Sequence, residues 1–69
     1  MIITIADCRK GENWPLIFNP NHIEGILCWF DVDANVPCLD IVFHSRIYGI
    51  GFKTYVDRLD VINRIKEVL

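Results

Sequence analysis

Asp31, Asp33 and Asn35 alternate in DVDAN, the spacing with which side-chain oxygens open a calcium loop. The match stops there. Val36 stands where the sharp turn needs glycine, and Val42 where the twelfth position needs a bidentate glutamate, so the expectation is an ordinary polar turn. Cys8, Cys28, Cys38, His22 and His44 are softer ligands, yet no pair has the close spacing of a structural zinc site. Neither a metal nor a cofactor is expected.

Nucleophilic catalysis needs a Ser or Cys beside a base held by a third group. His44 adjoins Ser45 in sequence, but neighbours on a strand point to opposite sides, so they form no dyad and no catalytic residue is assigned. Glu24, Asp40 and Lys53 fall on one side of the predicted sheet and read as screened surface charges. The GIG of Gly49 to Gly51 lies inside a strand rather than before a helix, which suits a bend or a close backbone approach and not a phosphate loop. Aromatic residues at Trp14, Phe18, Trp29, Phe43, Tyr48 and Phe52 fall on the expected core face. Together with a formal charge of -2 and scattered basic residues, this excludes a nucleic-acid platform.

The elements that position these residues follow from periodicity and turn chemistry. MIITIA, WPLIF, Ile23 to Phe30, CLDIVFH and Ile47 to Tyr55 read as five strands, separated by DCRKGEN, NPNH, DVDANVP and a tight turn at Ser45-Arg46. Pro15 lacks an N–H, so the second strand is expected at an edge near its start. From Asp57 the period changes: Val61, Ile62, Ile65, Val68 and Leu69 fall on one face of a helix, with Asp57 as its N-cap. The fold class is α+β, a curved, mostly antiparallel sheet of about five strands with one C-terminal helix packed on it, in a single small domain spanning residues 1–69.

Register assigns the faces. The Ser45-Arg46 turn sets Phe43 opposite Tyr48, Ile41 opposite Ile50 and Leu39 opposite Phe52. A loop centred on Ala34 brings Leu27 and Trp29 to that same side, and a four-residue turn at NPNH pairs Phe18 with Ile23 and adds Trp14 and Leu16. The other face then holds Ile26, Cys28, Phe30, Val42 and Ile47, with Cys28 and Cys38 as neighbours there. A helix of about a dozen residues is roughly 18 Å long and 10 Å across, too narrow for a five-stranded sheet roughly 20 Å wide.

Apolar residues make up 52% of the 69 and charged ones 23%, a high apolar share for a chain whose size calls for outside support. Burial against another copy supplies that support, and Ile26, Cys28, Phe30, Val42 and Ile47 are the expected subunit or partner contact. Three cysteines without C-x-x-C spacing, and a Met1 that runs straight into IITIA with no basic region, give a cytoplasmic chain with reduced thiols as the expectation. No apolar run approaches the ~20 residues of a membrane span.

The order of elements, with NPNHIEGI at Asn19 to Ile26 and VDRLDVINRI at Val56 to Ile65, resembles the small FlbD-like proteins of flagellar operons. That resemblance implies a non-enzymatic accessory protein and carries over no functional residue. The chain is also similar in style to small orphan proteins of bacterial mobile gene cassettes. The expected function is therefore a homo-oligomeric protein-interaction module. The alternative is a small-ligand binder or enzyme with its pocket between subunits or between helix and sheet.

Overall fold

Alternation fixes the first strand: in β1 (Ile3–Ala6) Ile3 and Ile5 are buried while Thr4 and Ala6 face solvent. It pairs antiparallel with β2 (Pro15–Phe18), Ile3 opposite Phe18 and Ile5 opposite Leu16. The computed structural model describes residues 2–10 and 15–68, so the part assigned above to Trp14 lies outside the described residues.

A short 3-10 turn, Pro20–His22, then carries the chain into a second sheet. Asn19 holds it, its side chain accepting the Asn21 N–H at 3.0 Å while its carbonyl accepts the His22 N–H at 3.0 Å. Because this turn rounds a corner instead of closing a hairpin, Phe18 does not pair with Ile23 as expected. β2 pairs with β1 instead, and β3 (Ile23–Asp31), β4 (Val36–Phe43) and β5 (Ile47–Gly51) form a separate antiparallel sheet in the order β3-β4-β5. The α+β class with five antiparallel strands and a C-terminal helix stands, with the strands divided between two sheets.

The β4–β5 turn falls one residue earlier than expected, at His44-Ser45, since the Phe43 N–H donates to the Arg46 carbonyl at 2.7 Å. Leu39 therefore faces Ile50 and Ile41 faces Tyr48, a register shifted by two residues. An even shift leaves every side chain on its assigned face. Strand five stops at Gly51, and helix α1 (Tyr55–Val68) begins earlier than Asp57. Thr54 is its cap: the Thr54 hydroxyl accepts the Asp57 N–H at 3.1 Å, which corrects the reading of Asp57 as the N-cap.

Val61, Ile62 and Ile65 are the buried face of α1, and each contributes roughly 1.5–3 kcal/mol relative to exposure. They pack with Leu39, Ile41 and Ile50 of the large sheet and with Ile3, Ile5 and Phe18 of the small one, in a single apolar cluster. No helix among the described residues is long and apolar enough to cross a membrane.

Candidate functional site

The β3–β4 connection decides what the contact residues do. Asp31 pairs with Val36, leaving a four-residue turn in which the Ala34 N–H donates to Asp31 Oδ1 at 3.0 Å and Asn35 takes a positive φ of 58°. Asn tolerates that left-handed conformation better than most residues. The expected loop centred on Ala34 is thus half a step off, and a one-residue slip reverses every side chain of a strand. Ile26 lies opposite Ile41, Cys28 opposite Leu39 and Phe30 opposite Pro37, all on the helix side. Leu27 and Trp29 face away, opposite Asp40 and Cys38. Cys28 and Cys38 consequently occupy opposite faces.

The five expected contact residues are therefore split. Ile26, Cys28 and Phe30 form one line on the helix side, whereas Val42 and Ile47 pair with each other on the reverse face. Ile26 packs partly against the core, while Cys28 and Phe30 are exposed beside α1, whose main contacts with this sheet are to β4. Beside this line run two helix residues that sequence reasoning left out, Tyr55 and Leu59, one turn apart and both more than half exposed. The Phe30 and Tyr55 rings stack at 6.5 Å between centroids and 17° between planes. Arg58 fixes the start of the helix to the strands, donating to the carbonyls of Trp29 at 3.2 Å and Cys38 at 3.3 Å with its guanidinium 5.0 Å from the Tyr55 ring.

Against known proteins the chain matches no family model, no curated protein and no solved structure. The geometry alone carries the functional reading.

Part of the reverse face of the same sheet is closed by a polar device absent from the sequence reading, while Leu27 and Ile47 stay exposed on it. Arg9 crosses it, donating from Nε to Asp7 Oδ1 at 3.0 Å, from Nη2 to Asp7 Oδ2 at 2.8 Å and to the Gly49 carbonyl at 3.1 Å, and from Nη1 to Asp31 Oδ2 at 2.9 Å. Its guanidinium also lies 5.4 Å from the Trp29 ring, and Trp29 Nε1 donates to Asp40 at 2.7 Å. Asp7 is buried and takes two further bonds, from the Arg9 and Gly51 backbone N–H groups at 3.0 Å each. Gly49 and Gly51 make the space: a Cβ on Gly51 would come within 2.9 Å of both Arg9 Nε and Asp7 Oδ1. Asp7-x-Arg9 after a strand, together with GIG in another, was the signal available.

Burial opposes the Asp7 charge, but the side-chain and backbone hydrogen bonds from Arg9, the Gly51 N–H and the Arg9 charge together hold its pKa below the ordinary carboxylate value. The bond to Asp7 raises the Arg9 pKa against its burial, and Asp31 adds to it. The Ala34 N–H first, then Arg9, lower that of Asp31. Burial pushes the Cys38 thiol up, an inert setting for a nucleophile. This arrangement is a satisfied ion-pair network, with its carboxylates engaged by donors of the chain itself.

Of the other expected polar groups, Glu24 sits 4.0 Å from His44 at the exposed end of β3, Asp40 binds Trp29, and Lys53 lines a cleft elsewhere. They do not converge. That cleft, of about 450 Å³, lies where the ends of β1 and β5 meet α1. Phe52 and Val61 line it beside Lys53 and the Asp60–Arg64 ion pair at 3.0 Å.

Proposed function

We propose that the chain is a non-enzymatic interaction module that associates with itself through the helix side of β3. The observation that carries this is the uncovered apolar line of Cys28, Phe30, Tyr55 and Leu59, continued inward by the partly buried Ile26, between a strand edge and a helix flank. A contiguous apolar patch of this kind on a small domain marks an interaction site. The polar network on the reverse face satisfies its charges internally, so its role is to hold the sheet. Val42 and Ile47, on that reverse face, drop out of the contact.

Multi-angle light scattering across micromolar concentrations tests this reading, with an associated species expected for the wild type. Phe30→Glu places a charge in the line and should weaken association at least about tenfold, since burying a side chain of this size is worth roughly 1.5–3 kcal/mol. Its circular dichroism should be unchanged, because Phe30 is 41% exposed in the single chain. A wild-type monomer at every concentration would remove the reading.

The cleft of about 450 Å³ supports a second reading, a binding site for a small molecule bearing both charges and an apolar part, between Lys53, the Asp60–Arg64 pair and the floor of Phe52 and Val61. A thermal-shift screen of amino acids and other small zwitterions separates the two. A shift lost in Lys53→Ala but kept in Phe30→Glu would favour the ligand.

A further inference from the structure

The backbone of β3 says how two copies would meet. The Phe43 N–H donates to Arg46 and the Phe52 N–H to Pro37, so the odd-numbered residues of β4 direct their backbone groups to β5. Its even-numbered residues must then bond to β3, and through the observed register they engage Gly25, Leu27, Trp29 and Asp31. The N–H and C=O groups of Ile26, Cys28 and Phe30 therefore point away from β4, to an edge that pairs with no strand among the described residues. The β3 residues whose side chains join the uncovered line are the same ones whose backbone finds no strand partner among the described residues.

Exposed edges of soluble proteins are commonly blunted by a charge, a proline or a covering loop. ILCWF holds neither a charge nor a proline: Glu24 and Asp31 stand at the ends of β3, and Asp31 is tied to Arg9. We infer that a second copy of this chain covers the edge, β3 pairing antiparallel with its counterpart about a two-fold axis through Cys28, so that two three-stranded sheets become one of six strands. This rests on the self-association reading and specifies it.

Register and charge choose this partner. With Cys28 opposite Cys28, Ile26 meets Phe30 of the partner and every outward N–H finds an outward C=O. A shift of two residues either way leaves some of them unpaired. On the reverse face Leu27, 62% exposed, meets the partner's Trp29, 37% exposed, as a close non-hydrogen-bonded pair. Glu24 falls opposite Val32 and Asp31 opposite Gly25, so no like charges are apposed. The exposed parts of Leu27, Trp29, Phe30, Tyr55 and Leu59 amount to on the order of 500 Å² of apolar area per protomer, which with the edge backbone approaches the about 800 Å² per partner of a standard interface. Pairing of an edge with itself closes at two copies. The far side of the sheet is already engaged, the Cys8 N–H donating to the Gly51 carbonyl at 2.9 Å, which disfavours growth into a fibre.

The test joins a mass measurement with site-specific crosslinking and amide exchange. In a background carrying Cys8→Ser and Cys38→Ser, a short bis-maleimide should join two chains through Cys28, each thiol adding across one maleimide double bond. Adding Cys28→Ser should abolish the product. In the wild type, the amides of Ile26, Cys28 and Phe30 should exchange at least tenfold more slowly in the associated state than on dilution to monomer. A chain that stays monomeric, uncrosslinked and with fast amides overturns both this inference and the function proposed above. An associated chain in which Cys28 does not crosslink and those amides exchange quickly overturns edge pairing alone and leaves self-association through the side chains standing. Association into open-ended species instead of a dimer also overturns the two-fold arrangement.

Discussion

On one face of the three-stranded sheet a single arginine fills the space left by two glycines and bonds to two aspartates. On the other an amphipathic helix packs over the middle strand, β4, and leaves the outer part of β3 open. The middle of the first face is closed by directional contacts within the chain, with Arg9, Asp7, Asp31 and the Gly51 N–H all paired, while Leu27 and Ile47 stay exposed at its margins. The second is closed by area, and it runs out of area at β3. Polar networks are intolerant of change because each lost partner strands another group, whereas an apolar margin can be left open and filled by a neighbour. The contrast assigns stability to the clamp and association to the free edge, and substitutions on the two sides should separate those effects.

The largest loss should come from Asp7→Ala. It removes the main acceptor for the Arg9 side chain and the acceptor for the N–H groups of Arg9 and Gly51, leaving a partly buried guanidinium with Asp31 and the Gly49 carbonyl. A cost of about 2–4 kcal/mol in urea unfolding is expected from groups stranded in this way. A loss below about 1 kcal/mol would show that the clamp is dispensable. The same carboxylate gives a pH signature. Its folded pKa lies below the ordinary 3.8, so the folded state binds its proton less readily than the unfolded chain. The stabilisation is complete above the ordinary value, begins to fall as the pH approaches it, and is lost as the pH drops through the depressed folded value. The unfolding midpoint should therefore decline between about pH 5 and pH 3 in the wild type, and by less in Asp7→Asn. Equal slopes would assign the acid sensitivity to other carboxylates, Asp31 first among them.

Gly51→Ala attacks the clamp from the sheet side. The added Cβ would stand 2.9 Å from Arg9 Nε and Asp7 Oδ1 and 3.0 Å from Arg9 Cγ, in side chains held by the hydrogen bonds of their polar ends, so one of them must give up its position. Overpacking of this sort costs about 1–3 kcal/mol. A neutral result would mean that Arg9 has an equally good second arrangement. Because Gly51 lies away from β3, self-association should survive wherever the variant is folded.

The element types were legible because each rests on local chemistry: alternation in ITIA, the 3.6-residue spacing of Val61, Ile62 and Ile65, Asn-Pro at the corner. Faces were legible wherever an error left parity intact. The β4–β5 turn was misplaced by one residue yet kept Leu39, Ile41 and Ile50 inward, since both strands shifted together. At β3 an error half that size reversed the strand, because the turn length there depended on Asp31 binding the Ala34 N–H and on Asn35 accepting a positive φ. ILCWF is apolar on both sides, so its own pattern supplied no check. Helix length was misjudged for a related reason: Tyr55, Val56 and Leu59 are exposed apolar residues, and only the Thr54 hydroxyl shows where the turn begins. The clamp was hidden because Asp7 and Asp31 are 24 residues apart, and no periodicity joins them to Arg9.

Gly25→Ala should have the smallest effect, and its value lies in the contrast with Gly51. Both glycines sit in the same sheet and neither has a positive φ, but an added Cβ at Gly25 meets nothing within 4 Å. The substitution should therefore be neutral or stabilising by up to about 0.5–1 kcal/mol, through the reduced freedom of the unfolded chain. The difference between the two variants, on the order of 2 kcal/mol, isolates what Arg9 does above β5, because the backbone contribution of removing a strand glycine is common to both. Were both to lose stability equally, the cost would belong to the strand backbone. The face closed by Arg9 would then be no more exacting than the one left open at β3.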